Sequence, residues 1–469
     1  MSEKKKIFKP QPVSGFPEWL PEVRAVEQQW FDHIRKIFES YGFCNIETPS
    51  VELLDAIKAK GGDGEADVDK EIYVLERYHK EDGDKEARLA LHFDQTVPLA
   101  RYTAQHFNDL VFPFKRYQMQ RVWRGERPQA GRFREFYQCD IDVINVDSLP
   151  LHFDAEMPAI IWEVLSTLPG MENEKIQIRI SNRKILMGFL SSLTAKDSQG
   201  NDKKLSNEVT AEILRDIDKL EKVGLDNTLT NIENSFVRKG YALGSQDLIK
   251  PFLDTCKKRY PTGEDLQDTL TNSSEIDTSN VLLKEGIKEL SFVLDQLSHL
   301  PEGAVVADLS IVRGLDYYTG TVYETVFLDD PGYGSICSGG RYDDLASNYI
   351  NKNLPGVGIS IGFSRLFDRL RQQYKLPVGR ISPADIMVMM PSEDRRALTM
   401  ETAQKLRAQG HKVETFHNPV KLARQLAYAE KKGIPYVWFP PFEDGKSHEV
   451  KNMGTGTQTA ADPDDWKKD

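Results

Sequence analysis

The chain has 469 residues, 39% of them hydrophobic and 28% charged, with a formal net charge of −11 and four cysteines. That length is too great for a single core, and the composition is that of an ordinary globular protein, so two or three domains are expected. No run approaches the ~18 apolar residues of a membrane span, the basic start lacks an apolar stretch behind it, and Cys44, Cys139, Cys256 and Cys337 show no CxxC spacing, which argues against export, a disulfide framework or a zinc knuckle and predicts a cytoplasmic protein.

Residues 18–41 predict an amphipathic helix, because Val23, Val26, Trp30, Ile34, Ile37 and Tyr41 recur every three or four positions and Gly42 supplies a stop. An extended piece, CNIETPSVE, breaks at Pro49, and LALHF (89–93) leads to a helix start at Thr96. Two β-branched and aromatic runs, 114–124 and 133–145, flank a polar turn with Gly125, Pro128 and Gly131, which predicts a long-looped hairpin. Alternation puts Phe136, Gln138, Asp140 and Asp142 on one face of its second strand. That face is too polar for a dry core and reads as the floor of a site. A helix over 153–168 and a strand over 176–180 follow. From about 191 to 300 the composition turns rich in Lys, Asp, Asn and Thr, with helical patterns near 207–223 and 281–297 and a loop over 261–279, which reads as a helical insertion. A strand-rich, glycine-studded block then runs from Val305 to Leu366, and Pro377 and Pro383 frame a linker. The tail, 384–469, reads strand, helix, strand, helix, strand, a small α/β domain with some parallel pairing.

The stretch from Pro113 to Arg134 sets seven basic residues, Lys115, Arg116, Arg121, Arg124, Arg127, Arg132 and Arg134, against Glu126 alone. Charge by itself fits a polyanion-binding patch and a solvated hairpin equally well. GGRYDD (339–344) permits close backbone approach to a ligand or marks a simple turn. RGLDYYTG (313–320) sets an arginine, an acid and two tyrosines at the mouth of a strand, and PGVGISIGFSRLF (355–367) runs a glycine-spaced strand into a helix carrying Arg365. Gly445-Lys446-Ser447 is no phosphate loop, since position 440 is proline, and no HxxxH or HExxH pair is present, so no protein-built metal site is expected. Arg124, Arg313 and Arg365 lie in separate segments that are expected to converge on one sheet, and such positive charge suits phosphoryl or nucleotidyl chemistry. The residues alone thus predict a nucleotide-handling enzyme on a largely antiparallel sheet, without naming its second substrate.

The order of these segments resembles class II aminoacyl-tRNA synthetases and, among them, histidyl-tRNA synthetases, over nearly the whole chain. The helix at 18–41 with Pro49 is similar to motif 1, the dimer motif; FKRYQMQRVWRGERPQAGRFREFYQ to motif 2; PGVGISIGFSRLF to motif 3; RGLDYYTG and CSGGRYDDL to two signatures of the histidyl group. The class I signatures HIGH and KMSKS are absent. The resemblance implies an α+β fold: an antiparallel sheet flanked by helices, with a helical insertion and a C-terminal α/β anticodon-binding domain. It divides the chain into a catalytic core over 1–190 and 301–380, the insertion over 191–300 and the anticodon-binding domain over 384–469. It implies L-histidine, ATP with Mg²⁺, and tRNA(His) as ligands, and a homodimer.

Carried over residue by residue, the resemblance gives Arg124 the α-phosphate of ATP and makes Arg313 the second catalytic cation. Arg365 and Arg132 would clamp the distal phosphates, Phe136 would stack on adenine, and Glu126 would lie near its amino group. Asp94, Thr96 and Gln138 would receive the α-ammonium of histidine. Asp142 and Tyr318 would each meet one imidazole nitrogen, with Tyr317 beside them, and Asp140 has no counterpart role. One departure stands out: the family's usual glutamate before the motif 3 arginine is Ser364 here, which leaves the orientation of Arg365 open. In the tail, Lys421, Arg424, Lys431 and Lys432 would reach RNA backbone, and aromatic residues such as Phe416 would take part in reading anticodon bases. Two rival readings are a non-catalytic paralogue regulating histidine biosynthesis, and a class II enzyme for proline, threonine or glycine. The tail and the RGLDYY arginine speak against the first, RGLDYY and Asp142 against the second.

Overall fold

The computed structural model describes residues 8–58, 71–78, 88–312, 318–344, 346–443 and 445–468. Eight strands make the main sheet: β1 (Cys44–Asn45), β2 (Phe114–Trp123), β3 (Glu135–Ile144), β4 (Ile176–Asn182), β5 (Val305–Ala307), β6 (Thr321–Phe327), β7 (Cys337–Tyr342) and β8 (Gly356–Ile361), in the order β1-β2-β3-β8-β7-β6-β4-β5. Only the two edge strands pair in parallel; the six between are antiparallel throughout.

The register gives the two faces of this sheet opposite characters. Residues paired directly across neighbouring strands project to the same side. One side carries the row Tyr117, Ile141, Ile359, Gly339, Tyr323, Ile180 and, next to it, Met119, Cys139, Ile361, Cys337, Thr325, Ile178. Helices α3 (His152–Thr167), α5 (Val281–Gln296) and α6 (Phe363–Gln372) pack on the sheet. Helix α1 (Pro21–Ser40) adds Trp30, Phe31, Ile34 and Phe38, all buried; Phe31 stacks on Phe363 at 4.1 Å, and Trp30 meets Phe367 edge-on at 5.1 Å. The opposite side carries Gln118, Asp140, Ser360, Ser338, Glu324 and Arg179 in one row, and Arg116, Asp142, Gly358 and Gly340 in the next. Such a polar face is the expected floor of a binding site.

Two glycines set how closely the helices approach. A Cβ on Gly188 of α4 (Arg183–Ser192) would lie 2.4 Å from the backbone nitrogen of Leu283, and one on Gly286 of α5 would lie 2.7 Å from that of Ile185. The helix α5, which falls inside the 191–300 segment, is thereby tied to α4 and the sheet. The loop expected over 261–279 is in part a helix, Gly263–Thr271, whose N-cap Thr262 accepts from the Asp265 amide at 3.1 Å. The signal was there in Thr262 and Asp265, an N-cap followed by an acid in the first turn. Helices Leu225–Arg238 and Lys250–Cys256 also belong to this stretch.

Residues 18–29 and 377–469 group as a second compact unit, apart from the unit that holds the main sheet. Its five-stranded sheet, β9 (Ile386–Val388), β10 (Val413–Thr415), β11 (Tyr436–Phe439), β12 (Glu449–Asn452) and β13 (Gln458–Ala460), runs in the order β10-β9-β11-β12-β13. The first three strands are parallel, joined through helices Arg396–Ala408 and Leu422–Lys432, and the last two add an antiparallel hairpin the sequence reading did not foresee. Of the expected RNA-facing groups, Lys421, Arg424 and Lys431 are exposed, while Lys432 is held by Glu414 at 2.7 Å. Phe416 is only 5% exposed, in the core with Met387, Val437 and Ala429. This corrects the expectation that it reads a base: its ring is spent on the domain's own packing.

Candidate active site

The hairpin β2–β3 carries most of the site, for a local reason. Its strands are ten residues each, long enough to project Phe136 and Gln138 near the turn and Asp140 and Asp142 deeper in the sheet, all on the polar side. A cleft of about 300 Å³ lies at the turn end, lined by Arg124, Glu126, Arg132, Phe136, Gln138 and Arg365, with Ser338 and Ser360 at its inner end. A second recess, of about 30 Å³, continues inward, lined by Thr96, Asp140, Asp142, Tyr318 and Tyr342 and sharing Ser338 and Ser360 with the cleft. The six residues assigned from sequence to ATP and the substrate ammonium at the cleft therefore adjoin three assigned to histidine. Asp94 stands just before α2 (Thr96–Gln105), where one carboxylate oxygen accepts from the backbone amides of Thr96 and Val97 at 3.1 and 3.0 Å. Arg313 and Tyr317 lie outside the described residues.

Arg124 follows the end of β2, its guanidinium 4.4 Å from the Phe93 ring and 5.2 Å from the Phe136 ring, with Nε donating to the Phe93 carbonyl at 3.3 Å. Burial lowers its pKa, offset by Asp94, Glu126, Glu71 and Asp140; a guanidinium stays charged under such a shift. Glu126 accepts from Arg132 at 3.2 Å. Arg365 is oriented without the family's glutamate. It donates to the Tyr333 carbonyl, its guanidinium lies 5.0 Å from the Tyr333 ring, and the Tyr333 hydroxyl donates back to the Arg365 carbonyl at 2.8 Å. Ser364, where that glutamate would stand, is buried and accepts from the Tyr137 amide at 2.8 Å. Tyr333, in a short helical turn over Pro331–Tyr333, thus holds Arg365 in place.

The basic run in the hairpin is no single patch. Lys115 pairs with Glu156 at 2.9 Å, Arg121 with Glu135 at 3.4 Å, and Arg116 is wholly buried with Asp142 at 2.6 Å. Of its seven cations, Arg124 and Arg132 line the cleft. Sequence reasoning missed Arg116 and Tyr342 as parts of the site. The Tyr342 hydroxyl donates to Asp142 at 2.8 Å, so this carboxylate is fixed from two sides. The signal for Tyr342 lay in GGRYDD, whereas nothing in the local sequence separates Arg116 from its exposed neighbours. Arg341 of the same signature is structural: its Nε donates to Asp154 of α3 at 3.0 Å. The GGRY of this signature is strand, not turn, and its glycines serve close approach. A Cβ on Gly340 would lie 2.7 Å from Cδ1 of Tyr318, one on Gly356 2.3 Å from the Tyr342 ring, and one on Gly358 2.0 Å from a carboxylate oxygen of Asp142. Three glycines thus clear the space that three polar side chains of the recess occupy.

Asp140 is buried, and its pKa is pushed up to about 7: desolvation leads, Arg116 and a Ser360 hydrogen bond oppose it, and Asp142 and Asp94 add repulsion. The folded protein then keeps a proton that the unfolded chain, at the ordinary 3.8, has released. Folding takes up that proton, so the stability this group contributes falls as pH rises through the interval between those two values and levels off above it. Asp140→Asn removes the titration. Its melting temperature relative to the parent should therefore be higher at pH 8 than at pH 5, by a few degrees. A difference that is the same at both pH values in thermal melts would refute the assignment.

A mostly antiparallel sheet whose polar face joins an arginine-lined cleft to a small polar recess is the architecture of a class II aminoacyl-tRNA synthetase. The model of the family described as histidyl-tRNA synthetase matches residues 15–366. The histidine–tRNA ligase of Thermobifida fusca is 51% identical over 99% of this chain and all of that protein, and that of Bifidobacterium longum subsp. infantis 40% identical over 97% of each. The crystal structure of histidyl-tRNA synthetase from Nostoc sp. PCC 7120 superposes with a TM-score of 0.80 at 36% identity, covering 97% of both chains. The chain belongs to the histidyl-tRNA synthetase family: it is an enzyme that activates histidine with ATP and transfers it to tRNA. That sets aside the regulatory paralogue and the prolyl, threonyl and glycyl readings.

Proposed function

We propose that the cleft takes ATP and the recess takes the histidine side chain, so that the carboxylate of histidine meets the α-phosphate between them. The observation that carries this reading is the sharing of Ser338 and Ser360 by the two cavities. In it, Arg124 stabilises the negative charge that builds on the α-phosphate as the carboxylate attacks, and pyrophosphate leaves toward Arg132 and Arg365. Phe136 supports adenine, with Glu126 near its amino group. Gln138, Thr96 and Asp94 receive the α-ammonium, and Asp142, Tyr318 and Tyr317 read the ring. Arg313 is the second cation at the reacting carboxylate. Two ring contacts discriminate strongly, because an analogue lacking a partner leaves a buried polar group unpaired.

Mg²⁺ would come with ATP. No cluster of three or more acidic, histidine or cysteine residues stands ready for a metal among the described residues. Nucleotide oxygens and water would supply its ligands, as suits a cation reluctant to shed water. The homodimer is proposed on the likeness of residues 18–49 to the dimer motif. A cytoplasmic location is proposed on the four cysteines, all free thiols. No described helix is long and apolar enough to cross a membrane.

The tail is proposed to read the anticodon of tRNA(His) through Lys421, Arg424 and Lys431. A chain ending near Ser382 should keep histidine-dependent ATP–pyrophosphate exchange at its full rate. Its aminoacylation at low tRNA concentration should fall ~10²-fold, as expected when one of two linked contacts is lost. Undiminished aminoacylation would show that the tail does not bind tRNA, and exchange driven by proline, threonine or glycine would overturn the histidine reading.

A further inference from the structure

The polar floor holds one hydroxyl that settles the direction of two neighbouring groups. Ser360 Oγ has a single hydrogen, and the Ser360 hydroxyl donates it to the Asp140 carboxylate. The amide of Gln138, 2.9 Å from the same oxygen, must therefore present its Nε2 as the donor. That turns Gln138 Oε1 outward as an acceptor. Both Gln138 Oε1 and Asp140 Oδ1 are buried and lack a hydrogen-bond donor among the described residues. Each belongs to a group bound to the same Ser360 hydroxyl, so the two acceptors sit close together, where the cleft meets the recess.

Two buried acceptors without donors are costly, and these two line the cleft and the recess, where a ligand can supply the missing donors. The ligand called for carries several donors on one atom and a positive charge. A ring nitrogen offers one N–H, whereas an ammonium offers three. The charge of the neighbouring carboxylate is already balanced, since Asp142 is paired with Arg116 at 2.6 Å and takes the Tyr342 hydroxyl at 2.8 Å, which leaves it acceptor capacity for a ring N–H. One oxygen of Asp94 is likewise taken by the amides that open α2. We propose that Asp140 is a substrate-binding residue, supplying with Gln138 the anionic acceptor for the α-ammonium of histidine. This rests on the site described under Proposed function and adds to it a residue without an assigned role. The raised pKa of Asp140 agrees with it, because a buried carboxylate awaiting a cation is ionised by that cation's arrival.

The test is Asp140→Asn, which keeps the shape and the contact to Ser360 and removes the charge. In pyrophosphate exchange, KM for histidine should rise by about tenfold or more, with KM for ATP unchanged. Two competitive ligands separate binding of the ammonium from upkeep of the floor. Histamine carries the ring and the ammonium, and 3-(imidazol-4-yl)propionate carries the ring without it. Histamine should lose affinity for the variant by about the same factor as histidine, while the propionate binds as it does to the parent. Equal weakening of both ligands, or of neither, overturns the proposal, as does an ammonium-selective loss found in Asp142→Asn instead. Gln138→Ala and Asp94→Ala locate the failure. If they raise KM for histidine while Asp140→Asn does not, Asp140 alone is misassigned; if none of the three does, the ammonium site itself is misplaced.

Discussion

Arg124→Ala should reduce histidine-dependent pyrophosphate exchange by ~10²- to 10³-fold, the range found when one preorganised donor to a developing anion is removed. The size follows from how the side chain is held. Its guanidinium lies within 4.4 Å of the Phe93 ring and 5.2 Å of the Phe136 ring, and its Nε is fixed on the Phe93 carbonyl at 3.3 Å. The cation is therefore in place before the substrates arrive, and none of the transition-state contact is spent on ordering a flexible chain. Arg124→Lys should recover little, since an ammonium keeps the charge but cannot match a planar fork stacked beside two rings. Histidine affinity, measured by calorimetry without ATP, should stay close to that of the parent, because Arg124 does not line the recess. Exchange within a few-fold of the parent in a folded Arg124→Ala protein would remove this residue from the chemistry.

Gly358→Ala should be as damaging to histidine as Arg124→Ala is to catalysis, although it adds one methyl group. The new Cβ would lie 2.0 Å from a carboxylate oxygen of Asp142 and 2.9 Å from the carbonyl of Ile141. The carboxylate cannot step aside cheaply, because Tyr342 donates to that same oxygen and Arg116 lies 2.6 Å from the other. Arg116 is buried and would be left with a displaced counter-charge, which is costly in a dry interior. Histidine KM should rise ~10²-fold, the scale of a misplacement of about 1 Å at a reacting site. ATP binding should be little changed, since Arg132 and Phe136 are untouched. Gly379→Ala, with no heavy atom near its added Cβ, is the control and should match the parent. A melting curve distinguishes a lost pocket from a lost fold: overpacking of this kind costs roughly 1–3 kcal/mol of stability. A folded Gly358→Ala protein with the parent's histidine KM would show that Asp142 does not sit in the substrate site.

Part of this was legible from the residues alone. Alternation along 133–145 is a local property, and it placed Phe136, Gln138, Asp140 and Asp142 on one side because successive side chains of any strand point to opposite faces. The order of the arginine-bearing segments, and their likeness to synthetase motifs, carried the chemistry and the family. Local spacing also set the helix Pro21–Ser40 and the strand–helix alternation of the tail. What it could not assign was the partner of each charge. Arg116, Arg124 and Arg341 look alike in sequence, yet one is buried on Asp142, one lies near two rings at the cleft, and one clasps Asp154 across 187 residues of chain. Gly358 reads as one glycine of a spaced strand until the sheet sets it against Asp142 of another strand. Phe416 reads as an exposed aromatic until the core of its domain closes over it. A period of two fixes which way a side chain faces, but burial and pairing are decided by strands far away in sequence. Those strands decide which arginine faces the cleft and which is a strut, and set two aspartates of one face apart as the proposed ring reader and the proposed seat of the ammonium.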